Sequence, residues 1–424
     1  MTGFLSQAAG YAIGCSSAVP PCGNGSLTDN FPNDPGTRAM GYYDEGYLNY
    51  YYYMASQFAI SDRWFSPVAS KTTPNRIAVL TGGTTQGLVK DPFRDDNFTS
   101  QLAIPTIFGE LSKAGVSWKI YYGITAGGCT DQDDCGTSKL NAFPTISFAY
   151  FTDSYQYLYT PATKGVCSAS TVPSGQAVGD PDNAFCIDPT HIAPVSQYFV
   201  DVANGTLPSF AYIEPAYGID DEHPGSGQSI LAGQSQVAKM INALMASPSW
   251  NDSVFFLSYD EGGGPLDHVP PIPSHTNALT DASLGVTTDI SSIAVNPDTF
   301  FPCLPPPGTP TLHCDLEAGW PGTSASDAPA QQGFAAQLGF RLPNMIVSPF
   351  TRRHYVSHTP MDHTAIIKFV ESRFIGPTAH LTNRDAAQPD LLEFFDFTSV
   401  PWAAPPTPPT PVPDTGATCH PGTL

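Results

Sequence analysis

The chain has 424 residues, of which 41% are hydrophobic and 12% aromatic, so it carries enough apolar material for a large buried core. Its formal charge of -21 excludes nucleic acid and anionic membrane surfaces as electrostatic partners, because the long-range field of the protein repels both. A run of about 18 apolar residues, the minimum for a membrane-spanning helix, does not occur.

The predicted elements alternate between helices and strands along the chain. Helices at this spacing favour parallel strand pairing through right-handed crossovers. The sequence therefore predicts a layered α/β fold whose ligands bind at the carboxyl ends of the strands. The helices are predicted at residues 46–58, 74–80, 107–114, 229–246 and 364–374, and the strands at residues 117–122, 209–213, 253–257 and 344–347.

Residues 1–397 are predicted to form one domain. Within it, residues 270–326 are rich in Pro, Thr and Asp, which favours an insertion or a lid over the carboxyl edge of the sheet. Residues 398–424 are rich in proline, so we expect an extended tail there rather than a part of the core.

The nine cysteines fall mostly in close sequential pairs within loop-like stretches. Zinc sites usually show two-residue cysteine spacing or added histidines, so the pairs predict disulfides that staple loops. Disulfides imply an oxidising compartment, and we expect a secreted or periplasmic protein even though no signal sequence opens the chain. The pairs are Cys15 with Cys22, Cys129 with Cys135, Cys167 with Cys186, and Cys303 with Cys314, and Cys419 is left alone.

Two adjacent carboxylates, Asp260 and Glu261, follow the predicted strand at residues 253–257 and precede a glycine loop. Charged side chains at the end of a buried strand need a neutralising partner, and hard divalent cations prefer oxygen ligands. All-oxygen ligation favours Ca, Mg or Mn over Zn. The alternative is an acidic turn, since Asp and Gly are common turn residues.

A hydroxyl group, that of Thr72, precedes the predicted helix at residues 74–80. The start of a helix favours anions, and a hydroxyl presented there can attack phosphorus if a metal stabilises its alkoxide. The alternative is an ordinary threonine cap ahead of Pro74, which is well placed in the first helical turn.

Two histidines stand beside acidic residues. His223 follows Asp221 and Glu222, and it could bind a phosphoryl oxygen or protonate a leaving group. His363 follows Asp362 at the start of the last predicted helix. An inert surface histidine and a helix-capping aspartate are the structural alternatives.

Three motifs give these residues a family resemblance: Thr72-x-Pro74-Asn75-Arg76, Asp221-Glu222-His223-Pro224 and Tyr259-Asp260-Glu261-x-Gly263-Gly264. On these motifs the chain resembles the bacterial and plant phosphoesterases. These include the phosphatidylcholine-type phospholipases C and related acid phosphatases, within the alkaline phosphatase superfamily. Shorter matches to the same family lie at residues 40–44, 58–66, 267–271, 348–349, 362–364 and 381–385.

The resemblance implies a three-layer α/β/α fold with a mostly parallel central sheet. It also implies that Thr72 is a nucleophile that becomes phosphorylated, that Asp260, Glu261 and Thr72 bind a divalent metal ion (Ca, Mg, Mn or Zn), and that His223 contacts phosphate. Four further residues are candidates for substrate binding: His191, Asn75, His268 and His363.

One feature of the family is absent from this sequence. Family members open with a strand bearing a Glu-Asn pair that supplies the remaining metal contacts, and nothing at residues 1–44 resembles it. We therefore expect that the first strand is missing and that an intact parent gene extends upstream of Met1. Such an extension would also account for the absent signal sequence.

The predicted function is metal-dependent hydrolysis of phosphoric esters, phospholipase C-like, through a phosphothreonine intermediate. The substrate is then a phosphate ester or a phospholipid, and the oligomeric state stays open. Two alternatives remain at this point. One is an acid phosphatase that acts on monoesters, and the other is a truncated, inactive scaffold that only binds ligand.

Overall fold

A computed structural model of the chain describes residues 37–67, 72–83, 106–123, 191–216, 219–223, 229–269 and 338–415. All nine cysteines lie outside these ranges, and so does the predicted insertion at residues 270–326. The predicted disulfides and lid therefore stay predictions.

Five helices of the described ranges lie close to where the sequence predicts them, and the two at residues 195–204 and 383–387 are not predicted. Thr106 caps α3, because its hydroxyl accepts a hydrogen bond from the Gly109 amide at 3.3 Å, and Gly115 ends the same helical segment with a φ of +68°. Among these helices, none combines the length and apolar character needed to cross a bilayer. The helices are α1 (Asn49–Gln57), α2 (Thr72–Leu80), α3 (Ile107–Lys113), α4 (Val195–Asn204), α5 (Ile230–Met245), α6 (Thr364–Phe374) and α7 (Asn383–Ala387).

Nine strands in these ranges form three small sheets, so the fold is α/β as predicted. The strands are β1 (Ala59–Ser61), β2 (Trp64–Phe65), β3 (Trp118–Tyr122), β4 (Ile192–Pro194), β5 (Phe210–Glu214), β6 (Phe255–Ser258), β7 (Asn344–Val347), β8 (Tyr355–Ser357) and β9 (Met361–Asp362). One sheet has four strands in the order β6-β7-β1-β8, a second has three strands in the order β4-β3-β5, and a third pairs β2 with β9.

Strand direction agrees only partly with the prediction. The pairs β3–β4, β3–β5, β1–β8 and β2–β9 are parallel, whereas β7 is antiparallel to both β1 and β6. The prediction of parallel pairing is therefore wrong for β7. The segment between β6 and β7 is long enough to return the chain in either direction, so helix spacing does not fix the direction of this strand.

Strands β5 and β6 lie at the edges of two different sheets, and their carboxyl ends approach each other. Residues 210–213 of β5 and all of β6 are half-buried, whereas every residue of β7 is buried. Within the described part of the chain, the outer edges of β5 and β6 have no hydrogen-bonded neighbour strand. Both strands lead into acidic residues, Glu214 and Asp260, at the same edge of the fold.

The main core lies between α1, α5 and β7, and the proline-rich segment contributes to it. Trp402 is only 4% exposed, and its ring lies 4.8 Å from that of Phe58. The side chain of Asn49 donates to the Thr410 carbonyl at 2.8 Å and accepts from the Val412 amide at 2.9 Å. A large aromatic side chain thus anchors this segment in the core, contrary to the expectation that the segment lies outside it.

Candidate active site

Thr72 and Glu261 are brought together by the fold. Thr72 is the first residue of α2, and Glu261 follows the carboxyl end of β6. The Thr72 hydroxyl Oγ1 donates a hydrogen bond to Glu261 Oε1 at 2.9 Å. The hydroxyl and the carboxylate that the sequence singles out therefore share one site.

Arg76, one turn after Thr72 on α2, connects the two strand ends. Its Nε donates to Asp260 Oδ2 at 2.9 Å, and its Nη1 makes a very short ion pair with Glu214 Oε2. Asp260 Oδ1 accepts from the backbone amide of Glu261 at 2.9 Å, which fixes the orientation of the carboxylate. One guanidinium thus holds the acids of β5 and β6 beside α2.

The acids of this site differ in their electrostatic surroundings. Burial raises the pKa of Asp260, but the adjacent Arg76 outweighs burial, so the pKa lies below its usual range. At Glu214 burial outweighs Arg76, and the pKa is raised. Arg76 shares a single positive charge between two carboxylates, and Glu261 adds a third acid. The site therefore carries an excess of acidic groups.

The oxygen donors of Thr72, Asp260 and Glu261 fit a hard divalent cation. Two neighbouring ligands of an octahedral Mg²⁺ ion lie about 3 Å apart, which is close to the 2.9 Å between Thr72 Oγ1 and Glu261 Oε1. In the part of the chain that the structure describes, no three His, Cys, Asp or Glu side chains form a metal-binding cluster. The ligands that the sequence predicts are two carboxylates and one hydroxyl, and oxygen donors of this kind are those that Ca, Mg or Mn prefers.

His363 lies beside this site but inside the protein. It is 3% exposed, and its ring packs against Trp64 with 6.3 Å between ring centres. Burial lowers the pKa of His363 to about 4, even though Asp362 and Asp260 oppose this effect. Its Nε2 atom is buried and has no hydrogen-bond partner among the described residues. At neutral pH the imidazole is therefore uncharged.

Asp362 was expected to cap α6, but the capping position is that of His363, and Asp362 lies one residue before it. Asp362 Oδ1 accepts from the Thr364 amide at 2.8 Å, while its Oδ2 pairs with Arg384 Nη2 at 2.8 Å. Both side chains are almost completely buried, at 1% and 3% exposure. Burial raises the pKa of Asp362, but Arg384 and Thr364 together hold it below the usual range.

His223 lies in the loop at residues 219–223 and is exposed. The preceding residue, Glu222, accepts hydrogen bonds from the phenols of Tyr51 and Tyr259. Tyr259 directly precedes Asp260. The loop that carries His223 is therefore attached to the chain segment that carries the two candidate metal carboxylates.

The contacts described for His191 and His268 are with groups other than Thr72, Asp260 and Glu261, whereas Asn75 lies on α2 three residues after Thr72. His191 lies at the amino end of β4, stacks on Trp118 with 3.9 Å between ring centres, and shares a 2.8 Å hydrogen bond with the Trp118 carbonyl. The side chain of His268 is 83% exposed. Asn75 is fully buried within α2. Their assignment to substrate binding stays a prediction.

Comparison with known proteins decides the family. The model of the phosphoesterase family matches residues 19–375, which is most of the chain and includes every candidate site residue. The chain belongs to the phosphoesterase family. The resemblance drawn from the sequence motifs is thereby confirmed.

Several curated relatives of this phosphoesterase are phospholipases C by name. "Phospholipase C B" of Mycobacterium tuberculosis is 26% identical over 384 residues, which cover 88% of this chain and 58% of the relative. "Hemolytic phospholipase C" of Pseudomonas aeruginosa is 25% identical over 370 residues, covering 85% of this chain and 43% of the relative. "Non-specific phospholipase C3" of Arabidopsis thaliana is 28% identical over 225 residues, covering 51% and 32%. The chain thus spans less than two thirds of each of these relatives.

Sequence reasoning about this phosphoesterase missed the roles of Arg76 and Glu214. The rule that singled out Asp260, a carboxylate at the carboxyl end of a predicted strand, applies equally to Glu214 at the end of β5. Arg76 was visible in the motif that begins at Thr72, but its two acidic partners are distant in sequence. The signal for Glu214 was therefore present, whereas the link through Arg76 required the fold.

Proposed function

We propose that this phosphoesterase hydrolyses phosphoric esters in the manner of a phospholipase C, with Thr72 as nucleophile. The observation that supports this most directly is the 2.9 Å hydrogen bond from the Thr72 hydroxyl to Glu261. A hydroxyl at the start of a helix, next to a carboxylate that can accept its proton, is placed to become a nucleophile. The names of the relatives favour phospholipid diesters as substrates.

The reaction proceeds in two steps. In the first, Thr72 Oγ1 forms a bond to phosphorus, the bond from phosphorus to the alcohol oxygen breaks, and the alcohol leaves with a proton. The product is a phosphothreonine. In the second, a water oxygen attacks phosphorus and the bond to Thr72 Oγ1 breaks, which releases the phosphate product and restores the hydroxyl.

Other groups of the chain would transfer protons, bind the phosphoryl oxygens and hold the cation. Glu261 holds the Thr72 proton, and the start of α2 presents backbone N–H groups to the phosphoryl oxygens. His223 steadies a non-bridging oxygen or protonates the leaving group. Asp260, Glu261 and Thr72 would hold a divalent cation, which when bound stabilises negative charge on the attacking and phosphoryl oxygens.

We also propose the three-layer α/β/α arrangement with one central sheet. Its support is the position of β5 and β6, which are half-buried edge strands with their carboxyl ends at the same site. One additional strand between them would join the three-stranded and four-stranded sheets and cover both edges.

We also propose that the protein is located in an oxidising compartment. The close pairs of cysteines in loop-like stretches support disulfides, and disulfides persist in secreted or periplasmic proteins. Mass spectrometry of the unreduced protein tests this point, because each disulfide lowers the mass by two hydrogens. A fully reduced protein purified from the export compartment would contradict it.

Paired assays test the function. The protein, loaded in turn with Ca²⁺, Mg²⁺, Mn²⁺ or Zn²⁺, is offered p-nitrophenylphosphorylcholine as a diester and p-nitrophenyl phosphate as a monoester. We expect faster hydrolysis of the diester, loss of activity with a chelator, and a covalent adduct on Thr72 in acid-quenched samples, which is phosphocholine from the diester and phosphate from the monoester. Preference for the monoester would support an acid phosphatase instead. Cation binding without turnover of either substrate would support a scaffold that only binds ligand.

A further inference from the structure

Glu222 occupies an unusual backbone position directly before His223. Its φ is 60°, in the left-handed region, which a glutamate adopts only where surrounding contacts determine it. Such positions concentrate at functional sites. The loop is held on its other side as well, since Asp220 Oδ1 accepts from the Ala216 amide at 2.7 Å.

Two phenols from distant parts of the chain hold the Glu222 carboxylate. The Tyr51 hydroxyl, on α1, donates to Oε1 at 2.6 Å, and the Tyr259 hydroxyl, after β6, donates a very short bond to Oε2. Each carboxylate oxygen therefore has its own donor. This arrangement fixes the orientation of the side chain in two directions.

Helix α5 leaves room for Glu222 only because residue 233 is glycine. A Cβ atom at Gly233 would lie 2.1 Å from Glu222 Cγ and 2.3 Å from Oε1, far inside van der Waals contact. The carboxylate thus lies against α5 while α1 and the segment after β6 each donate to it. Three separate elements converge on a side chain that the proposed reaction does not itself use.

We propose that Glu222 is a positioning residue for the phosphoryl-transfer site. Through Tyr259 it ties the loop that carries His223 to the segment that carries Asp260 and Glu261, and through Tyr51 it ties the same loop to α1. This inference rests on the proposed function, since it assigns His223 a place relative to the reacting phosphate. The role predicts that Glu222 affects turnover only by way of His223.

A double-mutant cycle of Glu222→Gln and His223→Ala tests this role. Glutamine keeps the size of the side chain but supplies only one oxygen acceptor for the two phenols. We expect kcat of Glu222→Gln to fall roughly ten- to hundredfold, the loss that follows displacement of a catalytic group by about 1 Å. KM should change little. The double variant should be no slower than His223→Ala alone, because both changes remove the same contribution.

Hydrogen exchange of residues 219–223 gives a readout that does not depend on activity. Exchange there should be faster in Glu222→Gln, and also in Tyr51→Phe and Tyr259→Phe, which serve if Glu222→Gln fails to fold. The matched control is Glu393→Gln, since Glu393 accepts from the Tyr355 phenol at 2.9 Å on another part of the surface. This control should change neither exchange in the loop nor turnover.

The possible outcomes are distinct. Independent losses that multiply in the double variant, or unchanged exchange in the loop, would overturn the positioning role and leave the proposed function standing. A wild-type protein that hydrolyses neither diester nor monoester in any of the four metals would overturn the proposed function, and the positioning role with it. A non-additive cycle with faster loop exchange would support both.

Discussion

Thr72 Oγ1 lies 2.9 Å from Glu261 Oε1 although 189 positions separate the two residues along the chain. The contact joins the start of a helix to the end of a strand, which are the two places where an α/β fold concentrates ligand-binding groups. The same contact places the proposed nucleophile next to a carboxylate that can accept its proton.

Replacing Thr72 should separate chemistry from folding. We expect Thr72→Ala to lower kcat by several orders of magnitude, because the attacking oxygen is removed. Thr72→Ser, which keeps a hydroxyl, should retain measurable turnover. Product release with p-nitrophenylphosphorylcholine gives the rates, and circular dichroism verifies that both variants fold. Turnover of Thr72→Ala at the wild-type rate would exclude Thr72 as nucleophile.

Arg76 should control the affinity for a divalent cation without binding the cation itself. Arg76→Lys keeps the charge but cannot hold Asp260 and Glu214 with one planar group, so Asp260 loses its fixed orientation. We expect the affinity to fall by about ten- to a hundredfold, as for other groups that orient metal ligands. Isothermal titration with Mg²⁺ or Mn²⁺ measures it.

The matched control for Arg76→Lys is Arg341→Lys. Arg341 makes a similar two-point contact with Asp267, at 2.5 and 2.8 Å, but Asp267 is not among the candidate ligands. Cation affinity should be unchanged in this variant. An equal loss in both variants would show that the effect comes from general destabilisation.

Glu222 should make stability depend on pH around neutrality. Burial raises its pKa to about 7, against the usual 4.5, although the Tyr51 and Tyr259 phenols oppose the shift; Asp221 and Asp220 raise it further. The folded state therefore binds more protons than the unfolded state in this range. The contribution is fully present below pH 4.5 and is lost as pH rises through about 7.

The measurement is urea unfolding of the wild type and Glu222→Gln at a series of pH values between these limits. The unfolding free energy of the wild type should decline by about 1–3 kcal/mol as the pH rises across this range. The Glu222→Gln variant should not show this decline, because glutamine does not titrate. If Glu222→Gln has the same pH dependence of unfolding free energy as the wild type, Glu222 does not titrate with a raised pKa.

The buried ion pair between Arg384 and Asp362 should be essential for folding stability. Arg384→Met leaves the Asp362 carboxylate buried without its guanidinium, which should cost about 3–5 kcal/mol of unfolding free energy. Lys113→Met is the control, because its partner Glu110 forms a solvent-exposed pair worth less than about 1 kcal/mol. Chemical denaturation compares the two. Equal small losses would mean that Asp362 is stabilised by its other donors.

Local patterns predicted five of the described helices and the four strands of four or five residues, but they missed α4, α7 and the five strands of two or three residues. Strand β7 and helix α6 have the predicted bounds, and α5 differs by one residue at each end. Periodicity and capping residues act over a few neighbours, so one sequence suffices to read them. The direction of β7 was not predictable in this way, because it depends on how a long connection returns to the sheet.

In the candidate site, too, single residues were predictable from local motifs, whereas contacts between residues far apart in the sequence were not. Thr72 and Glu261 were singled out from a helix start and a strand end, the family resemblance assigned both to one metal ion, and the fold brings them within hydrogen-bond distance. The two contacts of Arg76 and the two phenols around Glu222 join residues far apart in the sequence. A single sequence contains no record of such pairings, so these contacts became visible only in three dimensions.

The position of Trp402 bears on how the protein can be shortened or labelled. Ending the chain at Phe397 would remove the ring that packs on Phe58 and the two hydrogen bonds that the Asn49 side chain makes with the backbone of Thr410 and Val412. The exposed hydrophobic surface left behind would favour precipitation during expression. An affinity tag or a fusion partner is therefore better attached beyond Val412, where the polypeptide has already completed its path across the first helix.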